Sequence, residues 1–552
     1  HHHATYGDPV KFGYHDFIPQ FTAEKFDAAQ WAELFAQAGA RFAGPVAEHH
    51  DNFSMWDSKV NPWNAAAMGP KRDLTGELEK AIRARGMKFV TTFHHERAGI
   101  WEKSPGRFDG HYAGVKTNYP GLLEKPELRG FYGDVPRDQY LKSWLGKLVE
   151  VIDRYQPDLI WHDAWMEDIP APVVNRYLAH YFNRATEWGR EVVVTVKGLD
   201  LPRSLAVEDF EKGRADRLTE FPWLTDDTIS DGSWCYTRNL RIKPADEVID
   251  TLVDIVSKNG QLLLNISPMA NGTIPDNQVA VLREIGDFLR LHGEAIYGTR
   301  PWLSYGEGPT RMAKGGHFVG SVRYGSRDIR YTRSKDGATV YAIALGWPDG
   351  PLTLGHVKAA GKGRVDLLGS DRPVKWQINP AGQLVLTPPA LADGERPGRH
   401  AFAFRLSGFE LGLHPDAAFD GDQAVVLEAA RATLDGGGVR LEEKPGQPKN
   451  IGFWDSPRDS VHWLARLPAA GRYQFRIEYA ALAPVRISLR TADGATTTAA
   501  LPATGNWDHP AWADLGSLDI PAAGVRHLML VPADPASWKA VNVWSLRAAP
   551  AP

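Results

Sequence analysis

Over the first 300 residues the apolar positions recur with two alternating periods. After Phe26-Asp27, the side chains of Trp31, Leu34, Phe35 and Ala38 fall at i, i+3, i+4 and i+7, one face of a helix that Gly39 ends. A strand over residues 42–47 follows. A helix near residues 77–85, closed by Gly86, leads into a strand over residues 88–93. Leu141, Trp144, Leu145, Leu148 and Ile152 then share one face of a helix over residues 137–155, and Pro157 marks its boundary with the apolar run Leu159-Ile160-Trp161. Further strands are expected at 192–196 and 262–266, the second preceded by a helix over 246–257 and the stop Lys258-Asn259-Gly260. Repeated βα units over about 250 residues predict a TIM-like barrel, although an open parallel sheet shares the alternation.

Past Gly298 the helical period disappears. Runs at 339–345, 400–406, 472–479 and 526–531 alternate between Gly, Pro, Asn and Asp turns, as strands of antiparallel sandwiches do. A second break near Leu413-His414-Pro415 divides this half. The expected organisation is a barrel over residues 1–300, a β-sandwich over 301–410 and a second over 415–552.

Composition narrows the function. The 63 Lys and Arg against 67 Asp and Glu give a net charge of −4, with no basic excess to meet a nucleic-acid backbone or an anionic membrane. No apolar run is long enough to span a bilayer. The single cysteine, Cys235, has no partner for an internal disulfide. The 19 Trp, 17 Tyr and 22 Phe suit either β-rich cores or the apolar faces of sugar rings.

Barrel chemistry sits at the C-terminal ends of strands, which singles out four places. Glu48-His49-His50-Asp51 follows the strand ending near Ala47, and His94-His95-Glu96 follows the next. Adjacent side chains at a strand end cannot all face one way, so only some of these reach a pocket. Spacing of the His-Glu-x-x-His kind is absent, which argues against a metal there. Trp161-His162-Asp163-Ala164-Trp165 ends an apolar strand on an acid flanked by aromatics, equally a loop cap or a functional carboxylate. The loop-rich segment 199–234 holds Glu208, Asp209, Glu211 and Glu220, any of which supplies a second carboxylate, and spacing does not choose among them. Carboxylates, imidazoles and indoles without a Gly-rich phosphate loop suit a neutral hydroxylated substrate. Glycoside hydrolysis needs two carboxylates astride the scissile bond.

Four stretches carry a family resemblance: FDAAQW with AGA at 26–40, EHHDNFSMWDS at 48–58, PDLIWHD at 157–163, and the ordered run from KNGQLLLNISPMANGTIPDNQ to GTRPW at 258–302. In these the chain resembles the α-L-fucosidases of glycoside hydrolase family 29, which fuse a TIM-like barrel to a β-sandwich. The resemblance implies a retaining exo-acting hydrolase of fucosylated oligosaccharides or glycoconjugates that needs no cofactor. It makes Asp163 the nucleophile, has His49 and His50 binding fucose hydroxyls with support from His94 or His95, and makes Glu208 the acid/base with Glu220 in reserve. Trp56, Trp161 and Trp223 are expected to wall the sugar pocket. The alternatives are a sister exo-glycosidase with another sugar preference and a glycan-binding pseudoenzyme. Placement in the periplasm or outside the cell is expected.

The sequence departs from the family in three ways. Thr195-Val196-Lys197 stands where the family carries Asn-Asp-Arg, so a point charge replaces a planar fork. Ala164 replaces the Gly after the nucleophile. The family's opening strand ending His-Trp-Gly has no match before Lys11-Phe12-Gly13, and His1-His2-His3 resembles a tag remnant; a chain lacking its first βα unit is the expectation. The C-terminal part resembles a carbohydrate-binding module, with Trp507, Trp512 or Trp538 as a stacking platform and Glu428 as a ligand for a structural calcium.

Overall fold

The computed structural model describes the chain except at residues 99–111, 164–165, 199, 220, 311, 313–314, 415–424, 445–447, 468–469, 493, 523 and 552. Eight strand segments form one parallel sheet: β1 (Phe42–Ala43), β2 (Val46–Glu48), β3 (Lys88–Phe93), β4 (Leu159–His162), β5 (Val193–Lys197), β6 (Val207–Asp209), β7 (Trp223–Thr228) and β8 (Gly260–Asn265). They pair in chain order from β3 to β8, and β1 and β2 both pair with β3. The expected strand over 42–47 is thus two pieces of one. Gly44 and Pro45 interrupt it because a Cβ on Gly44 would lie 1.7 Å from the Val90 carbonyl oxygen, and Pro45 has no N–H to give the ladder. Among the described residues no pairing joins β8 to β1, so the curled sheet has an open seam.

The first two long helices begin where acids cap them, and the later ones begin at prolines. Asp27 accepts hydrogen bonds from Ala29 N and Gln30 N at the head of Ala28–Gln37, and Asp73 accepts from Gly76 N at the head of Leu74–Ala84. The longest, Arg137–Tyr155, ends where Gln156 takes φ 48°, before the chain enters β4. Between sheet and helices lie Phe89, Phe93, Ile160, Trp144, Leu148 and Tyr177, all buried. Removing each such side chain from water contributes roughly 1.5–3 kcal/mol.

The segment 199–234, read from sequence as loops, contains β6 and β7. Both carry acids facing the inside of the curled sheet, which hid the β pattern.

Beyond the barrel, two pairs of antiparallel sheets follow. The first pair sets five strands, from Arg300–Glu307 to Phe402–Ser407, against four that include Leu352–Ala360 and Gln383–Thr387, around a shared core of Tyr331, Leu354, Leu384 and Phe404. The second sets six strands centred on Gly471–Ala480 and Asn542–Pro550 against five centred on Ser460–Leu467 and Gly524–Pro532, around Trp454, Trp463, Phe475 and Leu528. This last pair touches the barrel through Arg203, which donates to the Leu434 carbonyl, and through the rings of Phe221 and His462, 5.2 Å apart.

Gly44→Ala should lower the free energy of unfolding by about 1–3 kcal/mol, because the new methyl group must push β1 and β2 off β3. A denaturant midpoint equal to that of the wild type would contradict this account of the interrupted strand.

Candidate active site

The C-terminal ends of β2 to β8 open into one continuous cavity of 2210 Å³, larger than an ordinary ligand pocket because it continues along the seam. Asp163, immediately after β4, lines it. Its backbone N–H donates to the Phe93 carbonyl at 2.9 Å, which ties the acid to the neighbouring strand. Burial alone would raise this carboxyl, but His50 Nε2 at 3.3 Å and Lys197 Nζ at 3.7 Å hold it well below the usual carboxylate range. His50 Nδ1 lies 2.7 Å from the His94 carbonyl oxygen. With a carbonyl on one side and a carboxylate on the other, the ring makes both bonds only when both nitrogens carry hydrogens.

Lys197, the last residue of β5, is the centre of the charge arrangement. Burial opposes its positive charge, yet Asp226, Asp209, Asp163 and Glu211 surround it and keep it protonated, its pKa raised above that of a free lysine. Its Nζ lies 3.1 Å from Asp226, 3.0 Å from Glu211 and 3.6 Å from Asp209. Burial, reinforced by Asp226, pushes the carboxyl of Asp209 well above its ordinary range. Where a guanidinium would form a planar two-bond contact, the lysine acts as a shared point charge.

Through Lys197 the structure brings two carboxylates together across the cavity. Its Nζ is 3.7 Å from Asp163 Oδ1 and 3.0 Å from Glu211 Oε2, so those oxygens are under about 7 Å apart, compatible with the 5–5.5 Å of retaining pairs. Glu211 lies just past β6. Its main chain is fixed by a loop from between the first two strands of the following sheet. Glu211 N–H donates to His317 Nδ1 at 3.0 Å, Phe318 N–H to the Glu211 carbonyl at 2.8 Å, and Val319 N–H to the Lys212 carbonyl at 3.0 Å. Arg214 and Gly316 exchange both backbone bonds.

Only some of the expected residues reach this cavity. His49 and His94 line it, their rings stacked at 4.0 Å, and His94 packs 5.0 Å from the ring of Trp161, which also lines it. Burial, with His49 beside it, lowers the pKa of His94 well below its ordinary value, so this ring is neutral. His95 faces the other way: it is buried against Trp144, 3.2 Å from that residue's carbonyl oxygen, and does not line the cavity. Trp56 and Trp223 are core residues rather than pocket walls. Trp56 donates to Glu150 at 2.8 Å, and Trp223 donates to the Lys258 carbonyl at 3.0 Å while packing on Phe210.

Glu208 is turned away from the cavity. On β6 its neighbour Asp209 points at Lys197, so Glu208 lies on the opposite face, where Arg203 Nη2 pairs with it at 2.7 Å. Burial raises its carboxyl and Arg203 only partly offsets this. Glu208 therefore does not line the cavity, whereas Glu211, two residues after Asp209 and on the same side, does. Glu220 lies outside the described residues, as does Ala164. Sequence reading also missed Asp226 and the pair His317-Phe318. The alternation Asp209, Phe210, Glu211 was the available signal, had β6 been recognised as a strand.

In the C-terminal sheets, Trp538 is buried against Trp454, with ring centroids 5.1 Å apart, and the ring of Trp512 is covered by Arg547 at 4.7 Å. Trp507 is half-buried. Glu428 faces Arg431 at 3.7 Å, and among the described residues no group of three or more His, Cys, Asp or Glu is arranged to hold a metal.

Residues 1–294 match the family profile described as alpha-L-fucosidase, and residues 325–407 match the alpha-L-fucosidase C-terminal domain. The plasma alpha-L-fucosidase of Homo sapiens is 31% identical over 418 residues, which cover 72% of this chain and 79% of that one. The tissue alpha-L-fucosidase of Rattus norvegicus is 30% identical over 421 residues with the same coverage. Among solved structures, Thermotoga maritima alpha-fucosidase in complex with fucose is similar over 73% of this chain and 84% of that one, with a TM-score of 0.55 and 29% identity.

Lys197→Met leaves Asp163, Glu211 and Asp226 facing one another without their cation. The expected loss is about 3–5 kcal/mol of folding stability at pH 7. It should shrink near pH 4.5: the unpaired acids gain raised folded-state pKa values, so protonation relieves the strain as the pH falls. Equal losses at both pH values in denaturant titrations would show that the cluster does not depend on charge.

Proposed function

Because the chain belongs to the α-L-fucosidase family, whose members are glycoside hydrolases, we propose that it removes terminal α-L-fucose from fucosylated glycans by a retaining double displacement, with Asp163 as nucleophile and Glu211 as acid/base. The observation that carries this assignment is the single ammonium of Lys197 shared by the two carboxylates in one cavity.

In the first step an oxygen of Asp163 attacks the anomeric carbon while the bond from that carbon to the leaving oxygen breaks, and Glu211 gives its proton to that oxygen. A covalent ester remains on Asp163. In the second step Glu211, now a carboxylate, takes a proton from water, whose oxygen attacks the same carbon and releases Asp163. Negative charge thus passes from one side of Lys197 to the other and back, and the ammonium keeps a carboxylate partner throughout. His50 is assigned to orienting Asp163, since both of its nitrogens already face acceptors. His49, neutral His94 and the Trp161 ring are assigned to the hydroxyls and the apolar face of the sugar. This route needs no cofactor. Two carboxylates in place favour turnover over a purely glycan-binding role.

Asp163→Ala should abolish hydrolysis of an aryl α-L-fucoside, and azide should restore part of it as the inverted fucosyl azide. Glu211→Ala should cost about 10²–10⁴-fold on poor leaving groups and much less on a dinitrophenyl fucoside, with azide giving the retained product. If Glu208→Ala reproduces this pattern and Glu211→Ala does not, the acid/base assignment fails.

A further inference from the structure

Phe318, at 64% exposure, is the most exposed large hydrophobic side chain among the described residues that line the cavity. It sits at φ 52°, in the left-handed region that a bulky residue enters only under strain. Such outliers persist where the surrounding structure over-determines them, and here it does. The backbone bonds of Phe318 to Glu211 and of Val319 to Lys212, together with the Arg214 and Gly316 exchange, fix the loop on both sides of the residue. The approach is so close that a Cβ on Gly213 would lie 2.0 Å from the Gly316 carbonyl oxygen. Folding thus commits several main-chain bonds to holding an apolar ring in solvent, one hydrogen bond from the backbone of the proposed acid/base.

Position gives that ring a use. The fucose ring must lie over Asp163, and the acid/base must reach the oxygen joining fucose to the rest of the substrate. Whatever borders Glu211 on the solvent side therefore meets the leaving group. Trp234 and Phe318 both line the cavity near this segment, and Lys212 Nζ already stands 4.5 Å over the Trp234 ring. Among the described residues the Phe318 ring carries no such cation, and the ring of its neighbour His317 lies 6.4 Å away and tilted. Aromatic faces of this kind take the apolar C–H face of a pyranose.

We propose that Phe318 forms the leaving-group subsite, a stacking platform for the sugar ring to which the fucose is attached. This rests on the function proposed above. It makes the choice of leaving group a property of the sheet that follows the barrel rather than of the barrel itself.

The test compares two substrates in the full-length wild type, Phe318→Ala and Phe318→Tyr. One is α-L-fucosyl fluoride, whose leaving group has no ring. The other is whichever of the α1-2-, α1-3- or α1-4-fucosylated disaccharides the wild type cleaves fastest. The ratio of kcat/KM for disaccharide over fluoride should fall about 3- to 10-fold in Phe318→Ala and recover in Phe318→Tyr. A parallel fall on both substrates would mean that Phe318 only supports the loop, and an unchanged ratio would likewise overturn the proposal. So would a wild type that turns over the fluoride but no disaccharide. A wild type inactive on both substrates would instead reject the function on which the proposal rests.

Discussion

One buried ammonium sets the conditions for everything else in the site. Lys197 gathers four carboxyl groups within 3.7 Å of its nitrogen. Acids so close in a low-dielectric cavity would otherwise repel one another and take up protons, and the carboxyl of Asp209, raised by burial and by Asp226, is the one pushed furthest that way. With His50, the cation lets Asp163 stay ionised although buried, and it fixes the span between Asp163 and Glu211. At this position the chain has a lysine where the family resemblance implies a planar guanidinium fork. A guanidinium offers bidentate geometry toward one partner. The ammonium in its place is a compact charge that serves several partners at once.

The site is not the property of the barrel alone. β4 and β5 deliver Asp163 and Lys197 on a rigid ladder, but Glu211 lies beyond the end of β6. Its own N–H and carbonyl are bonded by His317 and Phe318 rather than by a barrel strand. Glu208, turned outward, serves a related purpose: with Arg203 it reaches the Leu434 carbonyl in the last pair of sheets. Two acids three residues apart, read from sequence as interchangeable, thus do unrelated work because a strand's side chains alternate.

That alternation marks the limit of what could be read beforehand. The alternating βα pattern, the long helix Arg137–Tyr155, the strand Lys88–Phe93 and the acid after β4 were legible because local periodicity and strand-end position determine them. The identity of the second carboxylate was not, because it depends on recognising β6, a three-residue strand with two acids and no apolar repeat. His95, Trp56 and Trp223 likewise lie in the core although each stands next in sequence to a residue that lines the cavity. The contacts made by His317 and Phe318 leave no local trace at all. They arise from a pairing across about one hundred residues, and nothing in the composition of the loop announces its partner.

That long-range pairing also has a bearing on the order in which the molecule is made. Chains emerge and fold from the N-terminus, and contacts between distant segments are the slow ones to form. Asp163, Lys197 and their strands can be in place while the residues that clamp Glu211 are still unsynthesised. The Asp163 and Lys197 side of the cavity therefore precedes the Glu211 side in biosynthesis, and the two face each other as one site only after the second sheet has closed over the barrel's rim.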